Sequence, residues 1–332
     1  MSDEDGLICG FRVGPDGAAR PAAVEDAVDP QIAGEWTWLH FDVNGSHTSD
    51  WLKSTLKFDD ALIDALTSEG ARPRATVMST GTLVVLRGVN LHPHSDPSDM
   101  ISVRLWVQPN RIISTRFRRL LSVQAMRHRC EANDAPANVG QFIVDLNAGL
   151  IERMSGVIND LDEEIDLLEE SDSALTVYDL RRRLVAVRQK IVPLRRFISP
   201  QRDALSQMLS ARVTWLDEWQ RGQIREAADR LTRYVEELDA MREKAAIIQD
   251  TVATLMAEQM NRTMLILSIV AAIFLPLGLL TGLLGINVAG MPGAETKSAF
   301  WIVVALMVGL TVFEVWLFRK LGLIGPRPKQ PR

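Results

Sequence analysis

Residues 275–293, LPLGLLTGLLGINVAGMPG, are near-continuous hydrocarbon until Gly285-Ile286-Asn287, where a side-chain amide meets the end of the apolar run. An amide carbonyl there is an uncharged acceptor, able to take hydrogen bonds from the water shell of a cation without the grip of a carboxylate. Three other sets of side chains carry chemistry. The loop LHPHSDPSD brings His92, His94, Asp96 and Asp99 together, donors suited to a metal sensor and equally common in plain polar loops. Asp250 and Glu258 sit on a long helix-forming stretch, where they read as carboxylate rings, as intersubunit metal sites, or as polar positions on an exposed helix. Glu314 is the one acid within a strongly apolar segment, and Arg319 and Lys320, about one turn on, predict an ion pair with it.

These groups need elements to hold them. The apolar runs Met264–Ile286 and Ala299–Phe318 are each about 20 residues long, enough to cross a hydrocarbon core of about 30 Å as helices. Arg319, Lys320, Arg327, Lys329 and Arg332 all follow the second run, while the loop at 287–298 has only Glu295 and Lys297, so both chain ends are expected in the cytoplasm. The start, MSDEDGLICG, is acidic where a signal peptide is basic, which predicts that roughly the first 260 residues stay inside the cell. Ser268, Ala271, Leu275, Gly278, Gly282 and Gly285 form a small-residue stripe along the first span, fit for close helix packing, for lining a path, or for both. Pro276 interrupts one backbone hydrogen bond there and predicts a bend.

Upstream, apolar or bulky residues at Leu231, Tyr234, Leu238, Met241, Ala245, Ile248, Val252 and Leu255 make a heptad seam. The pattern predicts one helix from about residue 223 to about 286, roughly 95 Å long at about 1.5 Å per residue. A helix of that length needs neighbours throughout, supplied in part by other subunits. Before it, residues 138–222 predict a helical hairpin: an acidic arm with Asp160, Asp162, Glu163, Glu164, Asp166, Glu169 and Glu170 folds back on a basic arm with Arg181, Arg182, Arg183, Arg188, Lys190, Arg195 and Arg196, and a break falls near Arg221-Gly222. Residues 1–137 read as an α/β domain, with strands in LICGFRV, WTWLHFDV, RATVMST, TLVVLRGVNL, MISVRLWVQ and RIISTRF, and short helices in SDWLKSTL and DDALIDALTSE. The full order is that α+β domain, the hairpin, a stalk helix at 223–263, a span at 264–286, an external loop at 287–298, a second span at 299–318, and a basic tail at 319–332.

Composition excludes several classes. With 37 Lys and Arg against 42 Asp and Glu, no nucleic-acid partner is indicated. Cys9 and Cys130 stand apart and predict isolated thiols. No phosphate loop, Gly-x-Ser-x-Gly or His-Glu-x-x-His occurs, so nothing points to an enzyme, and no cofactor is expected. A single pair of spans encloses no water-filled path, so transport by this chain requires a ring of copies.

FLPLGLLTGLLGIN followed by MPG, two C-terminal spans, a basic tail and a long helix fed by an α/β domain resemble the CorA-type divalent metal transporters. Where that family has Gly-Met-Asn, this chain has Gly285-Ile286-Asn287, which resembles the zinc-transporting ZntB branch. The resemblance implies a homopentameric funnel in the bacterial inner membrane, with the first span lining the pore and Gly285, Ile286 and Asn287 forming the outer filter. It further implies Met264, Leu267, Leu275 and Gly278 at pore-facing positions and Asn261 near the inner mouth, while Glu295, an acid in the external loop, is expected to attract cations electrostatically. Zinc is then the transported ion, with proton-coupled uptake implied and outward transport as the other direction. All five histidines and both cysteines precede residue 131, so the spans themselves hold no preferred zinc ligand. A broader Mg, Co or Ni channel of the same architecture is the alternative, and a membrane-anchored sensor is the alternative of another class.

Overall fold

The computed structural model describes residues 5–28, 34–170, 176–285 and 297–323. It divides into two compact units, Met1–Gln249 and Asp250–Arg332.

The first unit is built on a seven-stranded sheet: β1 (Leu7–Val13), β2 (Ala19–Pro21), β3 (Trp36–Asp42), β4 (Arg74–Val77), β5 (Thr82–Gly88), β6 (Ile101–Gln108) and β7 (Arg111–Arg116). Their order across the sheet is β2-β1-β3-β7-β6-β5-β4. Only the β3–β7 pairing is parallel, and Gln108 lies opposite Arg111 across the Pro109-Asn110 turn. Strands this apolar are covered on both faces, as period-two alternation requires. On one face Leu39, Phe41, Leu83, Val85, Trp106 and Ile113 pack with Leu52, Leu62 and Leu66. Those last three come from α1 (Thr48–Asp50), which continues as a π-helical turn over Trp51–Thr55, and from α2 (Asp60–Thr67), whose first turn is closed by Asp59 accepting from the Leu62 amide at 2.7 Å.

On the other face Trp36 and Trp38 meet Phe142, with ring centroids 5.6 and 4.9 Å apart. Such aromatic pairs add about 0.5–1.5 kcal/mol beyond the area they bury. Phe142 belongs to α4 (Val139–Glu170), so the hairpin that sequence separates from the α/β domain is packed into the same unit. Between them runs α3 (Leu121–Glu131), which period-based reading passed over because its apolar face is short. His40 is buried on this side, its Nδ1 2.8 Å from the Ser114 hydroxyl. Burial first, then Arg116 and Arg127, hold its pKa down to about 3, so the ring is neutral. Cys9 and Cys130 are unpaired thiols pushed up to about 12 chiefly by burial.

Helix α5 (Val177–Ser210) and the part of α6 (Glu218–Leu284) that precedes Asp250 complete the unit. The expected break at Arg221-Gly222 is not there. Asp217 and Gln220 form a reciprocal cap: the Gln220 amide donates to Asp217 Oδ1 at 2.8 Å and the Asp217 amide to Gln220 Oε1 at 3.1 Å. That cap starts α6 at Glu218 and leaves Gly222 inside the helix. The heptad seam from Leu231 to Val252 is buried within the chain, while Leu255 is exposed. Seven of its eight positions are therefore already covered and make no call on another subunit. The charge-matched hairpin is also more widely wired than expected. Lys190 pairs with Glu164 across α4 and α5 at 3.2 Å, but Arg195 reaches Asp239 at 3.0 Å and Lys244 reaches Asp166 at 2.9 Å, both on or from α6. A three-helix arrangement thus replaces the two-armed one, with exposed pairs that set register more than stability.

Candidate functional site

Among the described residues two helices are long and apolar enough to cross a membrane: α6 through its C-terminal part, and α7 (Ala299–Lys320). Along the second unit, α6 has two contrasting faces. Leu265, Ile269, Ile273, Pro276, Leu277 and Leu280 are half-buried. Leu277 shares an apolar groove with Val304, Met307, Val308, Thr311 and Val312 of α7, so this is the face that α7 covers. Met264, Leu267, Leu275 and Gly278 are exposed, with Leu267 and Leu275 at 68% and 75%. At about 100° per residue the two sets point roughly 170° apart. The small-residue stripe therefore lies on the back of the α6–α7 pair, and a Cβ added at Gly278 or Gly282 meets nothing within 4 Å. Packing against α7 is not what those glycines serve.

The helix continues through Pro276, and its end is closed by local bonds. Thr281 Oγ1 donates to the Leu277 and Gly278 carbonyls at 2.9 and 3.1 Å, and the Gly285 amide donates to the Thr281 carbonyl at 2.9 Å. A Cβ on Gly285 would stand 2.9 Å from that same carbonyl oxygen, closer than side chains tolerate, so this position favours glycine. Ile286, Asn287 and Glu295 lie outside the described residues.

Asn261, Asp250 and Glu258 are all exposed on α6. No group of three His, Cys, Asp or Glu side chains is gathered to hold a metal among the described residues. The LHPHSDPSD loop shows why: its donors are already engaged. His92 Nε2 lies 2.9 Å from the Arg119 carbonyl oxygen, Asp96 accepts from the Ser98 amide at 2.8 Å, and Asp99 is held by Arg118. His94 takes a positive φ of 64° in the turn and stands exposed. The expected His92, His94 and Asp96 sensor is not assembled.

The ion pair expected of Glu314 is likewise not formed among the described residues. Glu314 is 8% exposed on the α6-facing side of α7, and its Oε2 has no hydrogen-bond partner. Lys320 instead lies over the Trp316 ring at 5.1 Å. Spacing alone gave the pair; helical phase turns Glu314 inward and Lys320 towards an aromatic neighbour.

The sequence profile described as CorA-like Mg2+ transporter protein matches residues 33–320. Divalent cation transporter CmaX of Pseudomonas aeruginosa is 35% identical over 322 residues, spanning 96% of this chain and 97% of that protein. Zinc transport protein ZntB of Yersinia pseudotuberculosis is 31% identical over 283 residues, spanning 85% of this chain and 86% of its own. The structure of full-length CmaX matches with a TM-score of 0.80 at 34% identity, covering 97% of this chain and 99% of that one.

Proposed function

The chain belongs to the CorA-like Mg2+ transporter family, a family of divalent cation transporters rather than enzymes, and from that premise we propose that it moves zinc across the bacterial inner membrane as a homopentamer. The observation that carries this reading is the glycine stripe on the uncovered back of α6, ending at Gly285-Ile286-Asn287. A ring of copies brings those backs together about an axis, and Gly278 and Gly282 allow the close approach. Met264, Leu267 and Leu275 then face the path with Gly278, and Asn261 stands at its inner mouth. Asn287 carbonyls at the outer mouth accept hydrogen bonds from a cation's coordinated water, and Glu295 raises the local cation concentration. Asp250 and Glu258, exposed on the stalk, add acceptors below the path.

Inward, proton-coupled movement is part of the same proposal. Glu314 supports it as the one carboxylate of either span, buried with an unanswered oxygen and able to take up and return a proton. A broader Mg, Co or Ni channel is favoured by one observation, that no histidine or cysteine follows residue 130, since ions that keep their water need no such ligand.

Uptake into proteoliposomes with and without a pH gradient separates these. Zinc influx that rises with an inward proton gradient, falls at least about tenfold in Asn287→Ala and loses its gradient dependence in Glu314→Gln is expected. Magnesium influx with no zinc influx rejects the zinc reading, and zinc influx indifferent to the gradient rejects the coupling.

A further inference from the structure

The α2 side of the sheet is apolar along most of its length and then turns cationic. Leu83 and Val85 precede Arg87 on that face of β5, and Arg104 lies beside Trp106 on the same face of β6. Past the end of α2 these strands leave a cavity of about 380 Å³ lined in part by Glu69, Arg87, Ser102, Arg104, Phe117 and Arg118.

Two of the three arginines are occupied. Arg87 donates to the Ala71 carbonyl at 3.2 and 3.1 Å and to the Met100 carbonyl at 2.6 Å, with its guanidinium 3.9 Å from the Phe197 ring centre. Arg118 grips Asp99 with both terminal nitrogens, at 2.5 and 3.1 Å. Arg104 is different. It is 0% exposed, its Nη2 donates to the Ser68 carbonyl and its guanidinium lies 4.8 Å from the Phe117 ring centre, yet its Nε and Nη1 have no hydrogen-bond partner. Burial, then Arg87 and Arg74, bring it down to about 10, which leaves it charged at neutral pH.

Closing the C-terminal end of α2 accounts for the bonds to Ser68 and Ala71. It does not account for a sealed guanidinium with two unanswered nitrogens beside an open cavity, an arrangement that is costly unless an anion completes it. The complement of a guanidinium fork is a planar or tetrahedral oxyanion. The volume exceeds that of bare phosphate and falls within the range of about 300–1,000 Å³ typical of small-molecule sites. We propose that this cavity binds the phosphoryl group of a small phosphorylated metabolite, anchored by Arg104 and met at the mouth by Arg118 turning from Asp99. Arg87 stays fixed by its carbonyls and supplies charge. Glu69 at the rim opposes the ligand and keeps the affinity moderate. The site lies within the first unit and does not depend on the transport reading.

Calorimetric titration of the full-length protein in detergent, with inorganic phosphate and with adenosine monophosphate as probes, tests this. Saturable binding is expected, weakened at least about tenfold in Arg104→Met and in Arg118→Ala, and tightened about two- to threefold in Glu69→Gln. Stronger binding of the nucleotide identifies an ester as the ligand, and equal binding identifies free phosphate. Arg118 is 47% exposed, so its replacement leaves the fold intact and decides the matter if Arg104→Met does not fold. No saturable heat with either probe, or unchanged affinity in Arg118→Ala, overturns the proposal.

Discussion

Leucines on α6 before Gln249 and leucines on the same helix after Asp250 share a composition and differ in what covers them. Leu231 and Leu238 are 0% exposed, their seam closed by the chain's own helices, whereas Leu267 and Leu275 are 68% and 75% exposed. The first unit closes this seam with its own helices, as the hydrophobic effect favours in water. The second covers only the α7-facing side of α6 and leaves the rest for lipid and for other copies. One sequence pattern, apolar residues at three-and-four spacing, therefore has two physical outcomes, set by what the rest of the chain places beside it.

Severing the chain after Gln249 gives the largest expected effect. Residues 5–249 should purify from water as a folded, soluble protein, and the full chain should need detergent; aggregation of the fragment breaks the comparison. Within that fragment, Leu238→Ala should cost about 2–5 kcal/mol in urea unfolding, because its methyl groups leave a cavity in a closed seam. Gly282→Leu tests the other region. A lone chain accommodates it, since nothing lies near a Cβ there, but the assembly should not, and uptake should fall about tenfold with loss of the oligomer by native mass spectrometry.

The smallest effect, taken per pH unit near neutrality, is a pH slope. His40 is neutral when folded, with a pKa of about 3 against 6.5 for a free ring, so the unfolded state binds the extra proton. Its contribution is complete above about pH 6.5 and is lost as the pH falls towards 3, at up to about 1.4 kcal/mol per pH unit. His40→Asn should remove that slope from the fragment's unfolding free energy, and an unchanged slope would assign the acid sensitivity to other groups.

Legibility in the sequence followed the same divide. Strands such as LICGFRV, found as Leu7–Val13, were readable because burial selects apolar and β-branched residues, and the two apolar helices because of the length of their uncharged runs. The start of α6 was misplaced because a glycine reads as a breaker, while the signal that decides, Asp217 with Gln220, is a side-chain bond between residues three apart. Glu314 was misread because spacing shows which groups are near in sequence, not which way helical phase turns them, and the His92 loop, open to two readings, was decided by the bonds its groups make to Arg119, Ser98 and Arg118. Arg87 and Arg104 were missed although alternation places both on the buried face with Val85 and Trp106, a charge in an apolar register that calls for a partner.

The two native thiols have a practical consequence. Cys130 is buried and Cys9 half-buried, and both are held as the protonated form far above neutral pH, so that alkylating reagents find almost no thiolate to attack. A cysteine introduced at Leu275 or Gly282 would react against a silent background, so water along the span can be mapped residue by residue without first rebuilding the protein.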